Sequence, residues 1–120
     1  MTDIIIDGDE PAVGCCNPTL APRISAEAAR QLSDDLGILG HPIRLQILDM
    51  LAQHDGDVCV CDLEAALPVK QPTVSHHLKL LRSAGLIDCE RRGLWAYYFV
   101  HRENLDALRQ RVVGQFDSLR

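Results

Sequence analysis

Apolar residues fall at helical intervals through most of this chain and switch to alternation once. In "ISAEAARQLSDDLGIL" the positions Ala28, Leu32, Leu36 and Leu39 recur every three or four residues, which predicts a helix. Ser25 is its expected N-cap and Gly40 its stop. "HPIRLQILDMLAQHDG" predicts a second helix, with Pro42 in the first turn, where a missing N–H leaves no bond unmade. Its expected buried face is Ile43, Ile47, Leu48 and Leu51, and Gly56 follows its end. "VCVCDLEAALP" predicts a short third helix closed by Pro68. "KQPTVSHHLKLLRSAG" predicts a fourth, with Val74, Leu78 and Leu81 facing inward and Gly85 as its stop. The period then changes: "LIDCERRGLWAYYFV" is rich in strand formers and predicts a β-hairpin turning at "RRG". Helical spacing returns in the last stretch at Leu105, Leu108, Val112 and Phe116.

Residues 1–24 are broken by Gly8, Pro11, Gly14, Pro18 and Pro22, too often for a helix. The expected organisation is therefore a flexible tail over 1–24 and one domain over 25–120. A helix, a turn and a second helix, followed directly by a hairpin, make a winged helix-turn-helix. The fold class expected is mainly α with a small β-hairpin. Aromatics are only 4% of the 120 residues, so aliphatic side chains must build the core, and a dimer interface would add to it. No apolar run approaches the roughly 18 residues that span a bilayer. The start "MTDIIIDGDE" is acidic and unlike a signal peptide, so no membrane is expected and the cytoplasm is the expected location.

Charge sharpens the reading of the fourth helix. The chain carries a net −5, but residues 68–92 hold five cations against Asp88 and Glu90, a net +3 that leaves −8 elsewhere. Lys70, Gln71, Thr73, Ser75, His76, His77, Lys79 and Arg82 supply hydroxyls, amides and imidazoles for base edges and cations for phosphates. His76 and His77 are neighbours and point about 100° apart on a helix, so one is expected at DNA and the other in packing. Arg91 and Arg92, at the expected hairpin tip, would reach the adjoining backbone or minor groove. An enzyme is not expected. From Cys16 the next arginine is Arg23, which breaks the C-x5-R anion loop of small arsenate reductases, and there is no C-x-x-C redox pair.

"HPIRLQIL", "VCVCDLEAAL", "QPTVSHHLKLLRSAGLI" and the hairpin together resemble the ArsR/SmtB family of metal-sensing repressors, over roughly residues 26–112. The resemblance implies a homodimeric winged helix bound to double-stranded operator DNA, released when a metal or metalloid binds. It places the recognition helix on residues 71–84. One departure is Lys70, where many members carry Ser, which removes an N-cap and adds a charge near phosphate. The family's other site, a zinc site on the last helix, is expected to be absent: His101, Glu103 and Asp106 are there, but no second histidine follows.

Five cysteines in a reducing compartment point to ligands or redox thiols rather than a disulfide framework. Within a helix Cys59 and Cys61 would lie about 200° apart, but an extended or half-wound first turn lets them face one way. A helix N-terminus there would also lower the thiol pKa. The resemblance identifies this C-x-C as a sensor position, completed in some members by cysteines of an N-terminal extension. Here the extension carries Cys15 and Cys16, and the eight residues 17–24 span up to about 26 Å, enough to reach the third helix of either subunit. Thiolates select soft ions. A vicinal pair in the tail resembles arsenite sensors, so As(III) or Sb(III) is the expected inducer, with Cd(II) or Pb(II) on the same cysteines as the alternative and a thiol redox switch as a further one. Three of the four thiols would suffice, and no organic cofactor is called for. Cys89, alone in the hairpin, is expected to be a small buried hydrophobe.

Overall fold

The computed structural model describes residues 18–119; Cys15, Cys16 and most of the expected tail lie outside them. The elements are α1 (Ala26–Leu39), α2 (Pro42–Ala52), β1 (Val58–Cys59), α3 (Val60–Ala66), α4 (Gln71–Ser83), β2 (Ile87–Arg92), β3 (Trp95–Val100) and α5 (Arg102–Ser118). The chain signals act as expected. The Ser25 Oγ accepts the Ala28 N–H at 3.0 Å, and Pro42 opens α2. Gly85 closes α4 at φ 80°, where the Leu86 N–H donates to the Leu81 carbonyl and the Gly85 N–H to that of Arg82. These two bonds form a Schellman motif, and they turn the chain straight into the hairpin.

Ile43, Ile47, Leu48 and Leu51 of α2, Leu63 and Leu67 around α3, and Val74, Leu78 and Leu81 of α4 make one buried cluster. Leu86, Ile87 and Val100 of the hairpin and Leu108 of α5 join it. So α3 and α4 share a core and cannot reorient independently without opening it. Lys70 stands at the N-cap of α4 without a side-chain capping bond, the loss expected from its replacing a hydroxyl residue.

Two expectations are corrected. The third helix does not begin at "VCVC": Val58 and Cys59 are extended, and pair with Tyr98 and Tyr97 of β3 in an antiparallel ladder. The hairpin is thus the larger part of a three-stranded sheet in the order β1-β3-β2. The valine before Cys59 favours this, because its side chain fills the core as a strand residue. The hairpin turns at Gly93, in the left-handed region at φ 64°, so Arg91 and Arg92 end β2 and do not form the tip. The helical spacing expected of the last stretch is met by α5, on which Phe116 is 60% exposed, with Val113 of α5 and Leu36 of α1 exposed too. No helix among the described residues is long and apolar enough to cross a membrane.

Candidate ligand site and nucleic-acid interface

The strand-to-helix switch decides the geometry of the C-x-C. Cys59 is the N-cap of α3, in extended conformation, and Cys61 sits in the first turn. The two Sγ atoms are in direct contact, 2.7 Å apart, so both face one way and can reach a common ion. Cys59 is half-buried and Cys61 exposed, both reduced. The expectation of a lowered thiol pKa fails at Cys61. Its bond to the Cys59 sulfur, slight desolvation and the negative charge of Cys59 and Asp62 push its thiol up. One sulfur of such a pair loses its proton more readily than both do, so a soft ion that displaces the second proton competes with it and binds more tightly as pH rises.

The sulfurs open onto a groove of about 800 Å³, lined by Met50, His54, Asp57, Ala66, Trp95 and Tyr97 among others. Strand alternation assembles it. Cys59 pairs with Tyr97, Tyr97 with Glu90 and Trp95 with Arg92, so these side chains share one face of the sheet. Val58, Tyr98 and Cys89 pair on the other face, toward the core. Cys89 therefore points away from Cys59 and cannot complete its site. Among the described residues no three of His, Cys, Asp and Glu are grouped to hold a metal ion.

The same alternation separates the two arginines. Arg92 lies on the groove face. Its guanidinium covers the Tyr97 ring at 4.6 Å, bonds Glu90 at 2.9 Å and pairs with Asp57. Arg92 is thus a wall of the groove, its side chain half-exposed and its charge met by two carboxylates. Arg91, paired with Ala96, takes the opposite face and is exposed.

On α4, Gln71, Thr73, Ser75, His76, Lys79 and Arg82 are exposed, as is Lys70 before it. Arg82 bonds Asp88 at 3.2 Å, and its side chain stays half-exposed. His77 is corrected: at 4% exposure it packs inward and offers nothing to a base edge. Its ring packs against that of His41, centroids 4.2 Å apart and planes tilted by 41°, and its Nδ1 lies 3.1 Å from an Arg44 guanidinium nitrogen. Arginine only donates, so that Nδ1 accepts and His77 is neutral with its proton on Nε2. Burial foremost, then the nearby His41, Arg44 and His76, hold its pKa below the ordinary value. Arg44 also donates to the Ile38 and Gly37 carbonyls at 2.7 and 3.2 Å, which ties the end of α1 to the recognition helix.

Sequence reasoning missed three participants: Arg44, the aromatic wall of Trp95 and Tyr97, and Asp35. Asp35 is 4% exposed on α1 and bonds Arg111 of α5 at 2.8 and 2.9 Å. The Arg111 bond holds its carboxyl below the usual range against the opposing effect of burial. Strand alternation around Tyr97 could have revealed the aromatic wall, had β1 been recognised. Nothing local marks Asp35.

Comparisons with known proteins bear on the whole arrangement. Residues 41–88, from the start of α2 into β2, match the profile of bacterial regulatory proteins of the arsR family. The chain is 37% identical to an arsenical resistance operon repressor of Staphylococcus xylosus over 83 residues, covering 69% of this chain and 78% of that one. It is 39% identical to a transcriptional repressor SmtB homolog of Synechocystis over 75 residues, covering 62% of this chain and 55% of that one. A homodimeric winged helix-turn-helix DNA-binding domain from Mycobacterium bovis superposes with a TM-score of 0.57 at 29% identity, covering 84% of this chain and 94% of that one. With the order of elements, the exposed polar face of α4 and the wing, these likenesses show that the chain belongs to the arsR family of bacterial regulatory proteins and is a winged helix-turn-helix DNA-binding transcriptional regulator, not an enzyme.

Proposed function

We propose that the protein is a metalloid-responsive repressor, which binds operator DNA as a homodimer and releases it when As(III) or Sb(III) binds Cys59, Cys61 and a tail cysteine, Cys15 or Cys16. The observation that carries this reading is the pair of sulfurs 2.7 Å apart at the head of α3. That helix shares a buried core with α4, so an ion that redraws its first turn strains the seat of the recognition helix. An ion-bound state that disfavours the DNA-bound arrangement weakens operator binding by the coupling energy, about 1–3 kcal/mol. The tail, residues 1–24, is a ligand arm, and 25–120 the DNA-binding and dimerisation domain. Three thiolates suit As(III), and the described residues offer two together, so the tail supplies the third.

Several features support the remaining roles. The exposed Leu36, Val113 and Phe116 on α1 and α5 supply apolar surface for a second copy. Two copies would set two recognition helices on half-sites about one helical turn apart. Lys70, Gln71, Thr73, Ser75, His76, Lys79, Arg82 and Arg91 form the DNA face. The relatives bear names from both branches of the family, so the ligand is argued from the thiols.

The test is fluorescence anisotropy with a labelled fragment of the upstream DNA. The reduced protein, once bound, is challenged in turn with As(III), Sb(III), Cd(II), Pb(II), Zn(II) and peroxide. Release by micromolar As(III) or Sb(III) is expected. Release by Cd(II) or Pb(II) alone would keep the site and change the ion, and release by peroxide alone would make the thiols a redox switch. Failure to bind DNA would overturn the reading.

A further inference from the structure

Two histidines meet where α1, α2 and α4 come together, and neither lines the groove of the thiols. His41 is the N-cap of α2, and its Nδ1 accepts the Ile43 N–H at 3.1 Å. His77 is buried on α4, and its Nδ1 accepts from Arg44 at 3.1 Å. Arg44 gives its other two nitrogens to the Ile38 and Gly37 carbonyls at the end of α1, where the helix dipole is negative. A backbone N–H and a guanidinium only donate, so each ring carries its one proton on Nε2, and a second proton must go to Nδ1. There it removes the acceptor. At His41 it uncaps α2, and at His77 it sets a cation against Arg44. The groups that act on the charge of His77 are His41 and Arg44 from α2 and its cap, and His76 from α4 itself. The carboxylates of α1, α2, α3 and β2 are not among them: Asp35 is held by Arg111 and Asp88 by Arg82. A protonated pair therefore finds no counter-ion. The His77 ring also meets that of the exposed His76 edge-on, centroids 5.3 Å apart, so a shift of His77 moves the polar face of α4.

We propose that His41 and His77 form a proton-operated latch, which gives this DNA-binding regulator a second input, acid. A proton on Nδ1 of either ring frees Arg44 or the cap of α2, loosens the seat of the recognition helix and weakens DNA binding. This input goes beyond the metalloid reading and uses none of the cysteines. Burial foremost holds the His77 pKa below the ordinary 6.5. The latch is therefore closed at neutral pH and opens as pH falls below that value.

The experiment follows the anisotropy of rhodamine-labelled upstream DNA with the full-length chain from pH 7.5 to pH 5.5 at constant salt. The reference is the His41→Asn/His77→Gln variant, whose amide oxygens accept the same two bonds and do not titrate. His76 and the other titrating groups are common to both proteins, so the ratio of their affinities isolates the pair. Wild type and variant are expected to bind alike at pH 7.5, and wild type about 5- to 150-fold more weakly than the variant at pH 5.5. Cys59→Ser/Cys61→Ser should keep the wild-type pH dependence. A second readout needs no variant: by reciprocity, added DNA should move the His77 titration of the wild type, followed by imidazole nitrogen NMR, to lower pH. Circular dichroism at each pH shows whether released protein is still folded. Parallel pH curves for wild type and the latch variant would overturn the proposal, as would a His77 titration that DNA leaves in place, or unfolding at the pH of release. Loss of the acid response in the thiol variant would overturn it too, by placing the proton on sulfur.

Discussion

The two faces of the small sheet are built from the same strands and do opposite work. On one, Val58, Ala96 and Val100 are buried with Ile87 against the helices, and the half-buried Cys89 and Tyr98 stay on that side. On the other, Cys59, Tyr97, Trp95 and Arg92 remain open to solvent around a groove. Cys59 and Cys89 are both half-buried thiols, and what separates their chemistry is the parity of their positions along the strands. One packs and the other meets a second sulfur. The lesson is that in a strand the neighbour two residues away, or straight across the ladder, defines a site better than the neighbour in sequence.

The sharpest way to break this contrast is to cut the closed side. Leu63 is fully buried between α3 and its neighbours. Leu63→Ala should cost about 2–5 kcal/mol of unfolding free energy, read from a denaturant midpoint. Trp95→Ala on the open face should fall within about 1 kcal/mol of wild type in the same assay. Comparable losses at both positions would dissolve the distinction.

Next in size is the DNA face. Lys79→Ala should weaken binding to all sequences alike and lower the slope of log affinity against log salt by about 1. Arg92→Ala should change that slope far less, because Glu90 and Asp57 already hold its charge. Equal slopes would return Arg92 to the nucleic-acid contacts.

A smaller effect concerns pH. His77 is held neutral in the fold, with its pKa below the ordinary 6.5. On acidification the unfolded chain takes up this proton first. The contribution to stability is therefore complete above about pH 6.5 and is lost as pH falls from there toward the folded value. The thermal midpoint of the wild type should fall between pH 7 and pH 5.5, and His77→Gln should show a shallower slope whatever its absolute stability. Asp35 acts in a lower window. Its carboxyl is depressed by Arg111, so its contribution holds above the usual value of 3.8 and is lost as pH falls further. The smallest expected effect is that of Cys89→Ser on the ligand response, which should be none.

Much of this was legible in the sequence. The helical stripe of α2 named its four buried residues correctly, because burial there follows one period on one element. The polar face of α4 was read the same way except at His77: one of the two neighbouring histidines was expected inside, and the structure shows which. The C-x-C pair was visible as a motif, but its geometry was not. Two residues of strand are too short to show alternation, and Cys59 turns outward only because β1 pairs with β3, nearly forty residues on. The division of labour between Arg91 and Arg92 has the same origin. Phe116 shows the opposite limit: its helical spacing is right, yet among the described residues it stays 60% exposed.

The central claim is that Cys59 and Cys61 couple ligand to DNA through α3. It is tested most directly by anisotropy of operator DNA bound to wild type, Cys59→Ser and Cys61→Ser, titrated with arsenite. The account predicts that all three bind DNA with similar affinity and that only the wild type lets go, with its affinity falling about 5- to 150-fold. Release of DNA by arsenite from either serine variant, at the wild-type concentration, would contradict it.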